Sequence, residues 1–184
     1  MRDMIVLSIA VLVASCTVLV LVVNMPVNKN PSLPFTKVYE IVDKLNSEGE
    51  VRLDMELRVR KDSSQLRLSL DNTVLEFNIT RVVLYWRAPS PKLDNYTKNL
   101  WSPWGNGSHC GLASWLFIED DGLVLRIYYV NTTLSTTDRI SLVRGDTIEL
   151  CFVASECRVL LGDIEVYRFS GYRKVQLIEL LIRE

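Results

Sequence analysis

The chain has 184 residues, with 21 Lys and Arg against 22 Asp and Glu, and a formal net charge of −1. No basic block stands out, which argues against a nucleic-acid partner or an electrostatic membrane patch. The single histidine excludes metal sites that need two or more imidazoles, and it makes a cupredoxin-type copper centre implausible.

The first predicted element is a membrane-spanning helix at residues 4–23. This run contains no charge, proline or glycine, and only residues 1–3, which include Arg2 and Asp3, precede it. A helix of that length reaches about 30 Å, the thickness of the hydrocarbon core of a bilayer. We therefore expect an uncleaved anchor that crosses the membrane once.

Two other interpretations of this run stay open. A cleaved secretory signal has an apolar core of about 7–15 residues followed by a small-residue cleavage site. This run is longer, and Asn-Met-Pro-Val at residues 24–27 offers no such site. A lipoprotein signal would be lipidated at Cys16, because residues 13–16 resemble the bacterial lipobox, but residues 17–23 stay mostly apolar where lipoproteins usually turn polar.

A short stalk and a helix follow the anchor. Residues 24–34 hold three prolines and three asparagines, a composition that ends a helix and keeps the chain extended. Residues 35–46 then carry apolar residues at the i, i+3, i+4, i+7 spacing of an amphipathic helix. These residues are Val38, Ile41, Val42 and Leu45.

The remaining residues, 50–184, are typical of β-structure. Apolar and polar residues alternate from Val51 to Arg60, which indicates a strand with one buried face. About nine short strands at this spacing favour a sandwich or small barrel. We therefore predict an all-β fold: an N-terminal transmembrane helix, a short stalk and helix, and then an immunoglobulin-like β-sandwich at residues 50–184. Turns are expected at residues 62–64, 120–122 and 144–146, and a β-bulge at Gly162.

Four Asn-x-Ser/Thr acceptors indicate the compartment. All lie C-terminal to the predicted anchor, and none has proline at the middle position. N-linked glycan is added outside the cytoplasm, so this part of the chain is expected outside the cell. The predicted glycosylation sites are Asn78, Asn95, Asn106 and Asn131.

The cysteines allow at most one disulfide in the outer domain. Besides Cys16 there are three, Cys110, Cys151 and Cys157. A bridge between Cys151 and Cys157 would close a hairpin in an oxidising compartment, leaving Cys110 free, buried or paired with another chain. Three buried thiols are the alternative.

Few residues invite a chemical role. His109 and Cys110 are neighbours, but adjacent side chains on an extended chain point to opposite sides, so a catalytic pair is not expected. The acidic triplet at residues 119–121 resembles a cation site, although the glycine after it favours a plain turn. Trp101 and Trp104 lie in a long stretch, residues 88–111, where they form either an interaction surface or buried packing.

The whole arrangement resembles the outer proteins of archaeal type IV filament systems: archaellins, adhesion pilins and accessory archaellum proteins. The local resemblance lies in residues 140–150, Ile-Ser-Leu-Val-Arg-Gly-Asp-Thr-Ile-Glu-Leu, which contain the Leu-x-x-Gly-Asp turn of that group. No Lys/Arg-Gly processing junction precedes Met4, and the proline-rich stalk ends the helix soon after Val23. The resemblance therefore implies an accessory or minor component more than a major filament subunit.

These features together predict a non-enzymatic, single-pass cell-surface protein with its C-terminal domain outside the membrane. The expected partners are the membrane and envelope or filament proteins, with self-association as a further option. No cofactor, metal, nucleic acid or small-molecule substrate is expected. The alternative is an anchored extracellular hydrolase or redox enzyme that uses Cys110, His109 or the carboxylates at residues 119–121.

Overall fold

The structure, a computed structural model, describes residues 33–71 and 73–183. The predicted anchor at residues 4–23, its alternatives at Cys16 and the stalk up to residue 32 lie outside the described residues. Within the part that is described, no helix is both long and apolar enough to span a membrane.

The predicted amphipathic helix is confirmed as α1, Thr36–Glu48. Its buried residues are the four that the spacing predicts, Val38, Ile41, Val42 and Leu45. The helix ends at Gly49, whose φ of 73° lies in the left-handed region that glycine adopts without strain. The Gly49 N–H donates to the Leu45 carbonyl over 3.0 Å and closes the last turn.

Nine strands follow α1 within the described residues, and the all-β prediction is confirmed. They are β1 Glu50–Leu70, β2 Thr73–Arg87, β3 Lys92–Leu93, β4 Trp101–Asn106, β5 His109–Ser114, β6 Phe117–Asp120, β7 Val124–Asn131, β8 Thr136–Leu161 and β9 Ile164–Arg183. They form one hydrogen-bonded sheet in the order β3-β4-β5-β2-β1-β8-β9-β7-β6. An immunoglobulin-like sandwich would instead divide its strands between two separate sheets.

Several predicted turns do not interrupt the strands. Residues 62–64 lie inside β1, where Asp62 pairs with Arg81 of β2. Residues 144–146 lie inside β8, at a break in its register with β9. Gly162 forms the turn between β8 and β9, with φ of 58°, and is not a bulge. The turn at residues 120–122 is confirmed, because β6 ends at Asp120 and Gly122 has φ of 90°.

The sheet curls so that strands distant in its order face each other. β2 and β7 are separated by β1, β8 and β9, yet they contact each other. One core cluster contains α1 with Leu57, Trp101 and Ile140. A second cluster joins residues of β1, such as Leu68, to residues of β7 and β9, such as Ile127. Burial of these two apolar clusters provides the main force that holds the curled sheet.

Candidate functional site: the open edge of β8

The longest strand, β8, is paired along only part of one side. Residues 50–58 of β1 meet residues 136–141 of β8, and residues 66–70 of β1 meet residues 157–161. Within each block the pairing is antiparallel, because the residue number on β8 falls as the residue number on β1 rises. The first block of β1 nevertheless meets the N-terminal part of β8, and the second block meets the C-terminal part. The end residues of β1, Glu50 and Leu70, pair with Ser141 and Cys157, so the part of β8 between these two partners extends beyond the ends of β1.

Residues 143–154 of β8, which lie in this extension, form an open edge. They pair with β9 on one side, and no strand within the described ranges pairs with them on the other. Unpaired backbone N–H and C=O groups on such an edge are a template for another extended chain. We call residues 143–154 the β8 edge.

The C-terminal half of the β8 edge is uncharged and apolar. Residues 150–154 read Leu-Cys-Phe-Val-Ala, and Val153 is 74% exposed. Opposite Val153 on β9 lies Tyr172, which is also exposed. The flanking Glu149 is paired with Lys174 over 2.9 Å, so its charge is already compensated. This half thus has the properties of a surface for an uncharged strand.

A shallow cleft of about 480 Å³ runs beside this half of the edge. Leu70, Thr73 and Leu75 of the first two strands line one wall, and Leu150, Val153 and Ala154 of β8 line the other. Clefts of this size commonly bind ligands or peptide segments. The cleft adds apolar side-chain contacts to the backbone groups that the edge offers.

Asp71 fixes the end of the cleft. Its carboxylate accepts hydrogen bonds from the Ser155 N–H at 3.0 Å, the Ser155 hydroxyl at 2.5 Å and the Glu156 N–H at 2.9 Å. The bond from the Ser155 hydroxyl is the main reason why the pKa of Asp71 is lowered. With φ of 41°, Asp71 is also the only non-glycine residue of the described chain in the left-handed region. The β1–β2 connection is therefore held against β8 at residues 155–156.

Of the two alternatives for Trp101 and Trp104, the interaction surface is wrong and buried packing is confirmed. Trp101 is 0% exposed, in the cluster with α1, and Trp104 is 4% exposed beside Val83 and Ala113. Residues 88–111 are not one long loop, because β3, β4 and the start of β5 lie within them. The two residues are three positions apart on the regularly paired β4, so their rings lie on opposite faces of the sheet, that of Trp101 in the core and that of Trp104 under Arg60, whose guanidinium is 5.0 Å from the ring centroid.

Sequence reasoning missed a different tryptophan, Trp115, which is partly exposed. The Arg81 guanidinium lies 4.1 Å from its ring centroid, and Tyr96 meets the ring edge-on at 5.6 Å. The indole N–H donates to the Ser102 hydroxyl over 2.7 Å, and Arg81 pairs with Asp94. The only feature of the sequence that could have indicated this packing is the aromatic content of the neighbouring stretch. These contacts hold residues 94–96 onto the domain.

The residues suggested for catalysis are not brought together. Cys110 is buried, and burial raises the pKa of its thiol to about 11. The His109 ring instead packs against Tyr85 at 5.6 Å, with its Nδ1 3.0 Å from the Ser108 hydroxyl. A protonated, buried thiol is a poor nucleophile.

The acidic triplet at residues 119–121 forms turn and surface contacts. Asp121 accepts hydrogen bonds from the N–H groups of residues 123 and 124, which with a bond from Arg126 keep its pKa low. Burial raises the pKa of Asp120, but hydrogen bonds from the Gly122 N–H and Tyr167 and the charge of Arg173 outweigh it, so the net pKa is lowered. In the described part of the chain, no three His, Cys, Asp or Glu residues are grouped to hold a metal.

The predicted Cys151–Cys157 disulfide is also wrong. Both residues lie on β8, so no hairpin separates them, and six residues of extended strand span about 20 Å. A disulfide requires Cα atoms roughly 4.4–6.8 Å apart. Cys110, Cys151 and Cys157 are all free, with Cys151 exposed and the other two buried.

The four predicted glycosylation sites lie in different settings. Asn78, Asn95 and Asn106 are exposed, on β2, in the segment after β3 and at the end of β4, respectively. Asn131 ends β7 and is only partly exposed.

Comparison of the chain with known protein families, with curated proteins and with solved structures finds no match.

Proposed function

We propose that this chain is a non-enzymatic cell-surface protein, anchored through residues 4–23 with its β-domain outside the membrane. Its proposed role is that of an accessory or minor component of an archaeal type IV filament-like or envelope adhesion system. The apolar N-terminal run, the four glycosylation acceptors and the resemblance at residues 140–150 support this placement. For the fold we propose an immunoglobulin-like layering in a looser sense, with the two halves of one curled sheet enclosing the cores.

The observation that carries the proposal is the β8 edge. An extended chain is the ligand that satisfies a row of unpaired backbone groups, and strand addition gains its affinity from such main-chain bonds. The occupant we propose is an uncharged, apolar strand of a filament or envelope protein. Residues 150–154 carry no charge. The neighbouring carboxylates of Glu149 and Glu156 form ion pairs with Lys174 and Arg168, respectively. The edge therefore has no need of a charged partner strand.

Residues 140–150, which carry the family resemblance, overlap the N-terminal half of the β8 edge. This half contains Arg144, Asp146 and Glu149 and the register break with β9. Charges and bulges on an edge oppose uncontrolled pairing. The partner strand is therefore placed on the C-terminal half, beside the cleft.

The experiment compares two lysine substitutions in the full-length protein. Val153→Lys places a charge in the middle of the apolar half, whereas Leu123→Lys is a matched control, since Leu123 is 68% exposed and precedes β7. Each variant is purified from native membranes in mild detergent and cross-linked with a lysine-reactive reagent, and the linked peptides are identified by mass spectrometry. Lys174 lies opposite Cys151 and reports on the edge.

We expect cross-links from Lys174 to an extended segment of a filament or envelope protein. Recovery of that partner should fall by about tenfold or more with Val153→Lys, as expected for a charge buried without a counter-charge, and should stay at the wild-type level with Leu123→Lys. Equal recovery with both variants, cross-links to a second copy only, or a strictly monomeric protein would contradict the proposal.

The enzymatic alternative has less support. Its nucleophile, Cys110, is buried with a raised pKa, and the His109 ring packs against Tyr85. Its carboxylates at residues 119–121 serve the turn before β7. We therefore favour a binding role.

A further inference from the structure

We infer that the folded domain accepts N-linked glycan at Asn95 and Asn106 and excludes it from Asn78 and Asn131. In the cell this selection rests on the proposed extracellular placement. The chemistry itself depends only on how the fold presents each asparagine.

Glycan transfer joins the asparagine Nδ2 to the anomeric carbon of a lipid-linked sugar phosphate. The carbon–oxygen bond to the lipid phosphate breaks, the phosphate leaves with the electron pair, and the nitrogen gives up one proton. The amide nitrogen must therefore be free of other bonds, and the acceptor and its Ser or Thr must enter the transferase site together. A segment locked in a sheet or buried can do this only after local unfolding.

Asn131 fails on both requirements. Its Nδ2 donates to the Glu179 carboxylate over 2.8 Å, and its Oδ1 accepts the Thr132 N–H over 2.8 Å. Thr132, the middle residue of the acceptor sequence, is 3% exposed. The backbone of Asn131 is also paired with Leu181 of β9. Reaching this nitrogen requires both hydrogen bonds to break and the end of β7 to leave the sheet.

Asn78 has an exposed side chain but a fixed backbone. It lies in the middle of β2, opposite Gln65 of β1, and the residues on both sides continue the same ladder. The next residue, Ile79, is buried in the second core cluster. If this segment were bound in the active site of a transferase, its pairing with β1 would have to break and Ile79 would be exposed to water.

Asn95 lies in a segment without helix or strand. Residues 94–97 follow the short strand β3, and the Asn95 side chain is exposed. Its neighbours Asp94 and Tyr96 contact Arg81 and Trp115, so the segment is attached on both sides of an outward-facing asparagine. No strand pairing has to break for Asn95 to be bound.

Asn106 is the last residue of β4, where it pairs with Lys92 of the two-residue strand β3, and it begins the tight turn between β4 and β5. Its Oδ1 accepts the Ser108 N–H at 3.2 Å, the Ser108 hydroxyl at 3.4 Å and the His109 N–H at 2.9 Å. In the described structure its Nδ2 makes no hydrogen bond. Gly107, with φ of 100°, permits the turn. The acceptor amide and the required hydroxyl are therefore side by side, with the nitrogen exposed.

The test uses full-length protein made in a host without N-glycosylation and purified in detergent. It is treated with a single-subunit oligosaccharyltransferase that accepts Asn-x-Ser/Thr, together with its lipid-linked oligosaccharide. One sample stays folded, and another is unfolded in urea and diluted immediately before the reaction. Peptide mass spectrometry then gives the occupancy at each asparagine, with Asn95→Gln and Asn106→Gln variants identifying the two expected signals.

In the folded sample we expect occupancy at Asn95 and Asn106 to exceed that at Asn78 and Asn131 by about tenfold or more. The unfolded sample should be modified at all four. Similar occupancy at all sites of the folded protein would overturn the inference. So would unfolded protein that stays unmodified at Asn78 and Asn131, because their sequence and not their fold would then exclude them. The reaction takes place in solution, so a wrong membrane orientation would leave its outcome unchanged. Glycan-free protein from native cells would instead count against the proposed placement.

Discussion

The three cysteines of the β-domain should differ sharply in reactivity towards alkylating reagents at pH 8. Cys151 is exposed on the β8 edge, whereas Cys110 and Cys157 are buried. Burial is the larger reason why the pKa of Cys157 is raised to about 12, and the nearby charge of Asp71 adds to it. Burial alone raises that of Cys110 to about 11.

The expected size of the difference follows from the thiolate fraction. Raising the pKa from 9.0 to about 11 lowers the thiolate fraction of Cys110 at pH 8 about 100-fold, since each unit is a factor of ten. Only the thiolate reacts, and the reagent must also reach the sulfur, so burial slows the reaction further. Cys110 should therefore be alkylated at least about 100 times more slowly in the folded protein than in the unfolded chain, whereas Cys151 is exposed to the reagent in the folded protein as well.

The assay is timed iodoacetamide labelling of folded full-length protein, followed by peptide mass spectrometry that follows each cysteine separately. The control is the same protein in urea, where all three should react at similar rates. Folded Cys110 that reacts as fast as Cys151 would refute the assigned burial. It would also revive Cys110 as the nucleophile of the enzymatic alternative.

Three further predictions concern stability, measured by denaturant unfolding followed by circular dichroism. Gly111→Ala should lower the free energy of unfolding by about 3 kcal/mol, because the added Cβ would lie 1.9 Å from the Leu84 carbonyl oxygen; a neutral effect would show that the two strands can separate locally. Trp86→Phe should lower it by about 0.5–1.5 kcal/mol through loss of the 2.7 Å hydrogen bond to the Leu33 carbonyl, and an unchanged midpoint would contradict that contact. The domain should also lose stability as the pH rises above 9.0 towards the folded thiol pKa values of about 11 and about 12, because the unfolded chain releases those protons first; a flat profile there would disprove the raised pKa values.

Local patterns in the sequence predicted the elements whose structure depends on near neighbours. The spacing of Val38, Ile41, Val42 and Leu45 identifies the buried face of α1, since positions three or four apart share one side of a helix. The Asp-Asp-Gly turn before β7 is likewise a local arrangement, with Asp121 accepting bonds from residues 123 and 124. Such features need no knowledge of distant strands.

The features that depend on pairing partners could not be predicted in this way. Residues 62–64 contain turn-forming side chains, yet β1 continues through them because each is paired with a residue of β2. Cys151 and Cys157 were expected on two arms of a hairpin, but β9 keeps both on one extended strand. The β8 edge is defined by a missing neighbour, and no stretch of sequence states which strands lie beside it. The uncharged run at residues 150–154 was visible in the sequence, but the exposure of Cys151 and Val153 was not.

The two halves of the β8 edge differ in how they avoid unwanted pairing, and this difference favours a covered site. Residues 143–149 carry three charges and the register break, both of which hinder the approach of a foreign strand. Residues 150–154 contain neither a charged side chain nor a register break. Uncharged β-branched, aromatic and apolar residues are, however, the composition that most readily adds to a sheet. A protein exposed to solvent on this half would tend to aggregate through it. We therefore propose that a partner strand covers residues 150–154, beside the wall of the cleft that Asp71 holds in place.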